Sequence, residues 1–570
     1  MKKILVSLIG CFMAICAHAA QIVNVDYVHK LIAQKWDISV PIKADNPMQV
    51  ANMKYLLTAI DVANEILNGE PTTNYGNGEF ATLQVADTTA TIQAVDTLIE
   101  KKEKYKFSLT INQTHYQSVK KTTDFKFSIG AAGTFYVDWG DGTEETIVKN
   151  NTNFVTYSHD YKTTDAVYTI RLGGKATEYS EYITSISFSN LFQDDVEDED
   201  DCSYAHAIES IDGSLGKIFG TLSNNTVKQP TFLYTFWGGA LDGYARGCYA
   251  KITSIPDDLF AGISGAPADS MFSGTFSDCR NLTTIPNGLF AGISGAPAYG
   301  MFSGTFSYCK NLTTIPNGLF AGISGAPASD MFYRTFYDCS GLTGAIPDGL
   351  FAGISGAPAS SMFSETFCGC SGLTGAIPAG LFGNLTGAPA SYMFYNTFND
   401  CRRLTGAIPD GLFGNLSGAP ASFMFDHTFS GCSGLTSIPD GLFAGISGAP
   451  ARYMFNFTFS SCKGLTSIPD GLFAGISGAP ASSMFNYTFY GCSGLTSIPE
   501  NLFGNISGTA QSYMFASMFD SCTSLTGPSA RINGKYLYEI WPSATTSQVN
   551  DMYYRATGLS DYSTMPTVWK

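Results

Sequence analysis

The chain has 570 residues and a formal net charge of -16, with 44% hydrophobic and 14% charged residues. This composition excludes a disordered chain. The length exceeds what one ordinary hydrophobic core supports, so several domains or a repeat array are expected. The negative balance, without any stripe of Lys or Arg, argues against nucleic acid or an anionic membrane as the partner.

The first residues have the features of a secretory signal. Two lysines precede an apolar run from Ile4 to Ala17, and small residues around His18 supply a cleavage site. The sequence therefore predicts export, with residues 1–20 as the signal peptide. A lipoprotein signal is the alternative, on the residues Leu8-Ile9-Gly10-Cys11. No later segment offers the ~18 consecutive apolar residues of a transmembrane helix.

Residues 21–117 predict a small mixed α/β region or a helical cap. Phe107, Leu109 and Ile111 alternate like a strand near its end. Helical spacing precedes that strand at Met53, Leu56, Leu57, Ile60, Ala63 and Leu67, and again at Ile92, Val95 and Ile99.

Residues 118–190 predict a small β-sandwich, because apolar residues alternate in runs that begin at Phe125, Phe135, Tyr168 and Ile183. Two motifs accompany these runs, Asp138-Trp139-Gly140-Asp141-Gly142-Thr143 and Ser158-His159-Asp160-Tyr161. They resemble the WGDG and H-x-Y signatures of polycystic-kidney-disease-type (PKD) domains. The resemblance implies a spacer or adhesion module in which Asp141 and His159 are structural rather than catalytic.

Residues 191–235 predict an acidic linker followed by a cap at the start of the repeat array. The acidic run from Asp194 to Asp201 is typical of a solvated, self-repelling segment. A loose calcium site is the alternative, but the run lacks the glycine of a tight calcium-binding turn.

Residues 236–527 repeat with a period of 30 or 31 residues. Self-similarity of this length is typical of a solenoid, in which each copy buries its apolar side against its neighbours. Residues 528–570 keep a degenerate form of the repeat and predict a C-terminal capping segment. The period is marked by Cys248, Cys279, Cys309, Cys339, Cys370, Cys401, Cys432, Cys462, Cys492 and Cys522.

Each copy combines a helical spacing with a strand signal. Phe272, Phe276 and Cys279 fall at i, i+4 and i+7, which predicts a two-turn helix with these side chains inward. Leu282 and Ile285 then predict a short parallel strand ending at the next proline. The Ile-Ser-Gly and Gly-Ala-Pro-Ala segments predict turns. A bulge is expected to absorb the extra residue of the longer copies, at Gly344-Ala345, Gly375-Ala376 and Gly406-Ala407.

The motif Thr-Phe-x-x-Cys-x-x-Leu-Thr-x-Ile-Pro, as at Thr428 to Pro439, resembles the leucine-rich repeats of BspA-like bacterial surface proteins. The resemblance covers residues 235–527. It implies a right-handed solenoid with parallel strands, an extracellular location and roles in adhesion or host interaction. The copies are longer than the ~20 to 29 residues of ordinary leucine-rich repeats and carry an inserted Gly-Ala-Pro-Ala segment. The binding partners of that family are therefore a poor guide to the partner of this chain.

The evenly spaced cysteines allow two interpretations. Adjacent copies could bring them within disulfide distance in an exported protein. The favoured prediction is a buried column of free thiols that act as small hydrophobic groups, because Cys279 shares its face with Phe272 and Phe276. Cys368 and Cys202 lie outside the column and are the better candidates for reactive or bridged thiols.

The sequence predicts a binding protein and not an enzyme. The histidines are scattered, and no metal-binding, nucleophile or phosphate-binding motif is visible, so neither a cofactor nor a metal is expected. The predicted partner is a protein or glycan on a host or neighbouring cell, which makes an adhesin the first hypothesis. A structural envelope-coat protein and a glycan-targeting accessory protein are the alternatives, and the oligomeric state stays open.

The candidate binding residues are the pairs that lie between the inward positions and differ from copy to copy. They are expected to face solvent, so that the protein binds through its helical side. Neutral drift among recently copied units is the alternative explanation. The pairs are Tyr333-Arg334, Tyr395-Asn396, Asp426-His427, Asn456-Phe457 and Asn486-Tyr487.

Overall fold

The computed structural model describes residues 101, 104–113, 123–163, 166–181, 183–189, 204–222, 228–239 and 249–570. The predicted signal, most of residues 21–117, the acidic run, Cys202 and Cys248 lie outside the described residues. The chain divides into two compact units. One comprises residues 1–111, 134–148 and 166–175, and the other comprises 112–133, 149–165 and 176–570.

The described chain consists mostly of short strands, turns and loops, with few helices. None of the helices in the described residues is long and apolar enough to cross a membrane. The strands are β1 (Tyr105–Asn112), β2 (Asp124–Ile129), β3 (Ala132–Asp138), β4 (Glu144–Lys149), β5 (Val155–Asp160), β6 (Val167–Glu178), β7 (Ile186–Ser187), β8 (Ile208–Gly213), β9 (Thr386–Gly387), β10 (Gly406–Ala407), β11 (Asn415–Leu416), β12 (Leu435–Ser437), β13 (Arg531–Ile532) and β14 (Lys535–Tyr536). The α-helices are α1 (Leu537–Ile540) and α2 (Thr546–Val549), and 3₁₀ turns span Tyr204–Ala207 and Thr567–Trp569.

In the first unit, β4, β3, β6 and β1 are neighbours in one sheet, in that order. The predicted strands at Phe107, Phe135 and Ile170 are confirmed, and these side chains are buried. Strand β1 precedes the predicted sandwich in sequence and nevertheless shares the sheet of β3 and β6.

In the second unit, β2 lies between β5 and β7 in an antiparallel sheet. The two-residue strand β7 also begins the stack of repeat copies. Ser185 donates its backbone N–H to Thr231 O at 2.8 Å, and Phe188 donates to Thr235 O at 2.9 Å. Residues 231–238 therefore pair like a first copy between β7 and residues 271–277.

The predicted two-turn helix is wrong, because residues 270–279 form a chain of tight turns. Every second N–H closes a turn onto the carbonyl three residues earlier, as from Thr275 to Phe272 O at 3.2 Å. The alternate N–H groups cross to the next copy, as from Phe272 to Met301 O at 2.8 Å. The turns repeat every four residues, so Phe272 and Phe276 point inward with the i, i+4 spacing that a helix also gives.

The interior consists of phenylalanine columns that run from copy to copy. The rings equivalent to Phe272 stack at centroid distances of 5.6 to 5.8 Å, as in the Phe272–Phe302 and Phe302–Phe332 pairs. A second column contains Phe276, and a third contains Phe290. Full burial of such a side chain contributes about 1.5 to 3 kcal/mol. Each copy thus depends on its neighbours for its core.

The recurring Thr and Cys side chains tie each copy to the one before it. Thr305 donates its hydroxyl to Phe272 O at 2.9 Å, and Cys309 donates its thiol to Phe276 O at 3.2 Å. The same two bonds recur along the array. This pairing explains the Thr-Phe-x-x-Cys part of the motif, since both donors are buried and satisfied.

The regular parallel bridges lie where the sequence predicted turns. Bridges join each Ile-Ser-Gly segment to the next, as between Gly295 and Ile323. Among the described copies, the predicted strand between Leu and Ile is assigned in two, as β10 and β12, which pair in parallel. The register shifts between Gly406 and Ala407, so the bulge predicted at that copy is confirmed.

Residues 528–570 continue the stack in a degenerate form. Phe519 donates its N–H to Met552 O at 2.8 Å, and the Tyr553 ring stacks on Phe519 at 5.8 Å. Trp541 packs on the Phe515 ring, and Trp569 is buried beside these residues, with its carbonyl accepting the Tyr553 N–H. Large aromatic rings thus follow the last regular copy.

Candidate binding surface

Each turn segment holds three residues in the left-handed backbone region. In one copy they are Ser270, Gly274 and Asp278, with φ of 52°, 60° and 59°. Equivalent positions in later copies carry bulky residues such as Phe457, for which a positive φ is unfavourable. Part of the copy-to-copy variation therefore lies at positions where glycine would fit best.

Aromatic side chains occupy two of these positions in consecutive copies. The rings of each set stack on one another at 4.3 to 4.6 Å, almost parallel. We call the first set the 392 row, which comprises Tyr392, Phe423 and Tyr453. We call the second set the 427 row, which comprises His427, Phe457 and Tyr487.

A polar strip lies between the two rows and comprises Asp426, Asn456 and Asn486. His427 donates its Nδ1–H to Asp426 Oδ1 at 2.5 Å, and Asn456 donates its amide to the same oxygen at 2.9 Å. Burial raises the pKa of the Asp426 carboxyl, while the bonds from His427 and Asn456 oppose that rise. The side-chain oxygens of Asn456 and Asn486 are buried without a hydrogen-bond partner.

Three copies nearer the N-terminus, Arg334 occupies the same left-handed position as His427. Its guanidinium donates to both carboxylate oxygens of Glu365 in the next copy, at 3.0 and 3.2 Å. Its Cζ lies 4.9 Å from the Tyr333 ring centroid and 5.0 Å from that of Tyr337. This cluster is a complete site for a guanidinium, built from two rings and one carboxylate.

Tyr395 connects the two rows. Its ring makes edge contacts with Tyr392 at 5.8 Å and with His427 of the next copy at 6.4 Å. Asn396 takes no part in either row, and its side-chain oxygen accepts a bond from Asn399 at 3.0 Å. The contacts of Tyr395 place the strip between the rows.

The structure brings most of the predicted binding residues onto one surface but buries two of them. Asp426 and Asn456 are only 3% and 5% exposed, whereas both residues of each pair were expected to face solvent. Asp426 and Asn456 are hydrogen-bonded to each other along the strip and are buried there, whereas the first residues of the other three pairs are half-buried like the second. The other candidates are half-buried, namely Tyr333, Arg334, Tyr395, Asn396, His427, Phe457, Asn486 and Tyr487.

The 392 row is absent from the binding residues that the sequence predicts. These aromatic residues lie two positions before the first inward phenylalanine, and the helical interpretation did not mark that position as special. The available signal was the recurrence of Tyr or Phe at one position in consecutive copies.

The motif around Trp139 forms the turn between β3 and β4. Trp139 donates its N–H to Thr143 O at 2.9 Å, and Asp141 accepts the N–H of Thr143 at 2.9 Å. The buried Asp138 carboxylate accepts a bond from Arg171 at 2.9 Å. These bonds hold the turn together, which agrees with the structural role predicted for Asp141.

The predicted column of buried free thiols is confirmed for the described copies. From Cys279 to Cys522 the column cysteines are free and fully buried. Burial raises the thiol pKa along the column, to about 12 for Cys492. Cys368 is also free and less buried, and burial raises its pKa to about 12, so it does not have the low pKa of a reactive thiol.

Within the described ranges, no cluster of His, Cys, Asp and Glu is arranged to hold a metal ion. Comparisons of the chain with protein-family models, with curated proteins and with solved structures find no match.

Proposed function

We propose that the protein is an exported bacterial surface protein that binds a partner through the two aromatic rows of its repeat region. The secretory features of residues 1–20 support export. The repeat region acts as a solenoid of the leucine-rich-repeat type, similar to that of BspA-like proteins, with the PKD-like strands as a spacer. The matching hydrogen bonds and ring stacks in successive copies support the solenoid.

The observation that carries the binding proposal is the placement of bulky rings at strained positions. Phe457 and Tyr487 have φ of 52° and 54°, where earlier copies have Gly274 and Gly304. A left-handed conformation costs a residue with a side chain about 1 to 2 kcal/mol. Strain that persists in the folded state is typical of functional positions.

The stacking favours a protein partner over a glycan. Sugar rings bind by lying flat on open aromatic faces. Within each row, neighbouring rings at 4.3 to 4.6 Å cover both faces of the middle ring and one face of each end ring, so a partner meets mainly edges and polar tips. Half-buried Tyr and His edges beside amide groups suit an irregular protein surface.

A combined peptide and glycan array tests the proposal. The wild-type protein is compared with a variant carrying Phe457→Gly and Tyr487→Gly, the residue found at this position in earlier copies. We expect the wild type to capture a selective set of peptides that the variant loses, with few glycans captured. Selective capture that survives in the variant, or no selective capture by the wild type, would contradict the proposal.

A further inference from the structure

The binding surface already contains one cation held by aromatic rings and a carboxylate. Arg334 is held by Glu365, Tyr333 and Tyr337 as described above. A second guanidinium, that of Arg452, lies 5.1 Å from the centroid of Tyr453 in the 392 row. The rings of this surface therefore accept guanidinium groups from the chain itself.

The polar strip also offers a carboxylate and amide oxygens beside aromatic rings, and its carboxylate is paired with the His427 ring rather than with a guanidinium. Asp426 accepts both of its hydrogen bonds at Oδ1, and Oδ2 has no hydrogen-bond partner among the described residues. The oxygens of Asn456 and Asn486 also lack donors. All three groups are acceptors, and the two amide oxygens are buried, so a cation satisfies them only by entering the strip between the rows.

Each row has an end ring whose equivalent residue in the adjoining copy is a serine and not another aromatic residue. Tyr487 stacks on Phe457 on one side, and the next copy has Ser517 at the equivalent position. Tyr392 likewise stacks on Phe423, and the preceding copy has Ser361. Because serine covers less of a ring than another ring does, a cation can approach the terminal ring of each row from that side.

We propose that the polar strip and the terminal faces of the two rows bind Arg or Lys side chains from a basic segment of the partner protein. This inference rests on the proposed function and specifies the chemistry of the partner. Asp426 supplies the carboxylate, the two asparagines supply amide oxygens, and Tyr392 and Tyr487 supply ring faces. The formal net charge of -16 favours the approach of a basic segment.

The test is fluorescence anisotropy with labelled octa-arginine on the full exported chain at about 150 mM salt, which screens distant charges. Octa-citrulline is the neutral peptide of nearly the same shape. Asp426→Asn removes one charge contact, and Tyr487→Ser removes one aromatic ring. Each substitution is expected to weaken octa-arginine binding about tenfold. Octa-citrulline is expected to bind at least about tenfold more weakly than octa-arginine.

Two matched controls separate the site from general charge and general surface effects. Asp410→Asn removes an exposed carboxylate away from the strip, and Tyr308→Ser removes an aromatic residue from a left-handed position outside both rows. Both are expected to bind octa-arginine within about twofold of the wild type. Equal weakening by Asp410→Asn and Asp426→Asn, or equal binding of octa-citrulline, would overturn the inference.

The outcome is distinguishable from failure of the proposed function. If the array selects neutral or acidic peptides that the variant loses, the rows bind a partner and the inference of a basic segment is wrong. Circular dichroism of each variant confirms that loss of binding does not reflect unfolding.

Discussion

Single residues in the turn segment fall into two classes that lie side by side in the sequence. Phe455 is fully buried in a ring column, whereas Phe457 is half-buried with a φ of 52°. The first contributes to the core and the second to the surface. The hypothesis of a binding surface depends on this division, because a residue that served the core would not need a strained backbone.

The division predicts losses of stability of different size for two nearby substitutions. Phe455→Ala is expected to lower the free energy of unfolding by about 3 to 5 kcal/mol, since it leaves a cavity between stacked rings. Phe457→Gly is expected to lower it by about 1 kcal/mol or less, because relief of the left-handed strain offsets the lost stacking. Urea denaturation measures both values. Similar losses for the two variants would contradict the division.

The buried thiols predict a dependence of stability on pH. Their pKa is raised in the folded state, so the unfolded chain releases these protons first as the pH rises. The stabilisation is present below the ordinary thiol pKa and is lost above it. At one pH unit above that value, each thiol lowers the free energy of unfolding by about 1.4 kcal/mol.

Urea denaturation at several pH values from neutral to about 10 measures this loss, in the range where unfolded thiols ionise. A variant with Cys401→Ser and Cys432→Ser has fewer thiols to ionise, so its stability is expected to fall less steeply. Equal slopes for variant and wild type would show that the thiols do not cause the decline.

At the scale of the repeat element, the sequence predicts which side chains point inward but not the backbone that points them there. Phe272, Phe276 and Cys279 are buried as predicted. A helix and a series of four-residue turns place i and i+4 on the same side, so the spacing could not separate the two. The positive φ angles of the turn segments have no sequence signature beyond the Ser, Asp, Asn or Gly that occupies these positions in some copies.

The polar strip could be predicted only in part. Asp426, Asn456 and Asn486 are candidates from the sequence because they vary between copies. Their burial and the pairing of Asp426 with His427 depend on the turn geometry. The 392 row depends on the same geometry, which explains why sequence reasoning missed it.

Close approach of neighbouring copies requires glycine at one position of each Ala-Gly-Ile segment. A Cβ at Gly322 would lie 2.1 Å from Ile293 O of the preceding copy, which is backbone and cannot move aside. Gly322→Ala is therefore expected to lower the thermal unfolding temperature by several degrees, as an overpacked site loses about 1 to 3 kcal/mol.

Gly344→Ala is the matched control for this substitution. Its Cβ would meet the nearest atom at 3.6 Å, an ordinary contact. The unfolding temperature of this variant is expected to stay close to that of the wild type. An equal decrease for both variants would contradict the explanation by close approach.

At the scale of the whole molecule, equivalent contacts between copies make them interchangeable as structural units. Phe302 stacks on Phe272 at 5.7 Å and on Phe332 at 5.6 Å, so removal of the middle copy joins two compatible faces. Deletion of residues 301–330 is expected to leave cooperative unfolding with a lower denaturant dependence, because less surface is buried.

Deletion of residues 301–325 removes nearly as much chain but shifts the register of every later contact. We expect this variant to lose cooperative unfolding. Denaturant unfolding followed by circular dichroism compares the two deletions. Equal behaviour would mean that the register between copies does not determine the fold.

The central claim is that a partner binds the turn side of the repeat at the two aromatic rows. Hydroxyl-radical footprinting with a peptide captured on the array tests it most directly, because aromatic side chains oxidise readily. The account predicts that the partner protects Tyr392, Phe423, Phe457 and Tyr487, while the exposed Tyr554 keeps its oxidation rate. Protection of residues elsewhere, with unchanged oxidation of the two rows, would contradict the account.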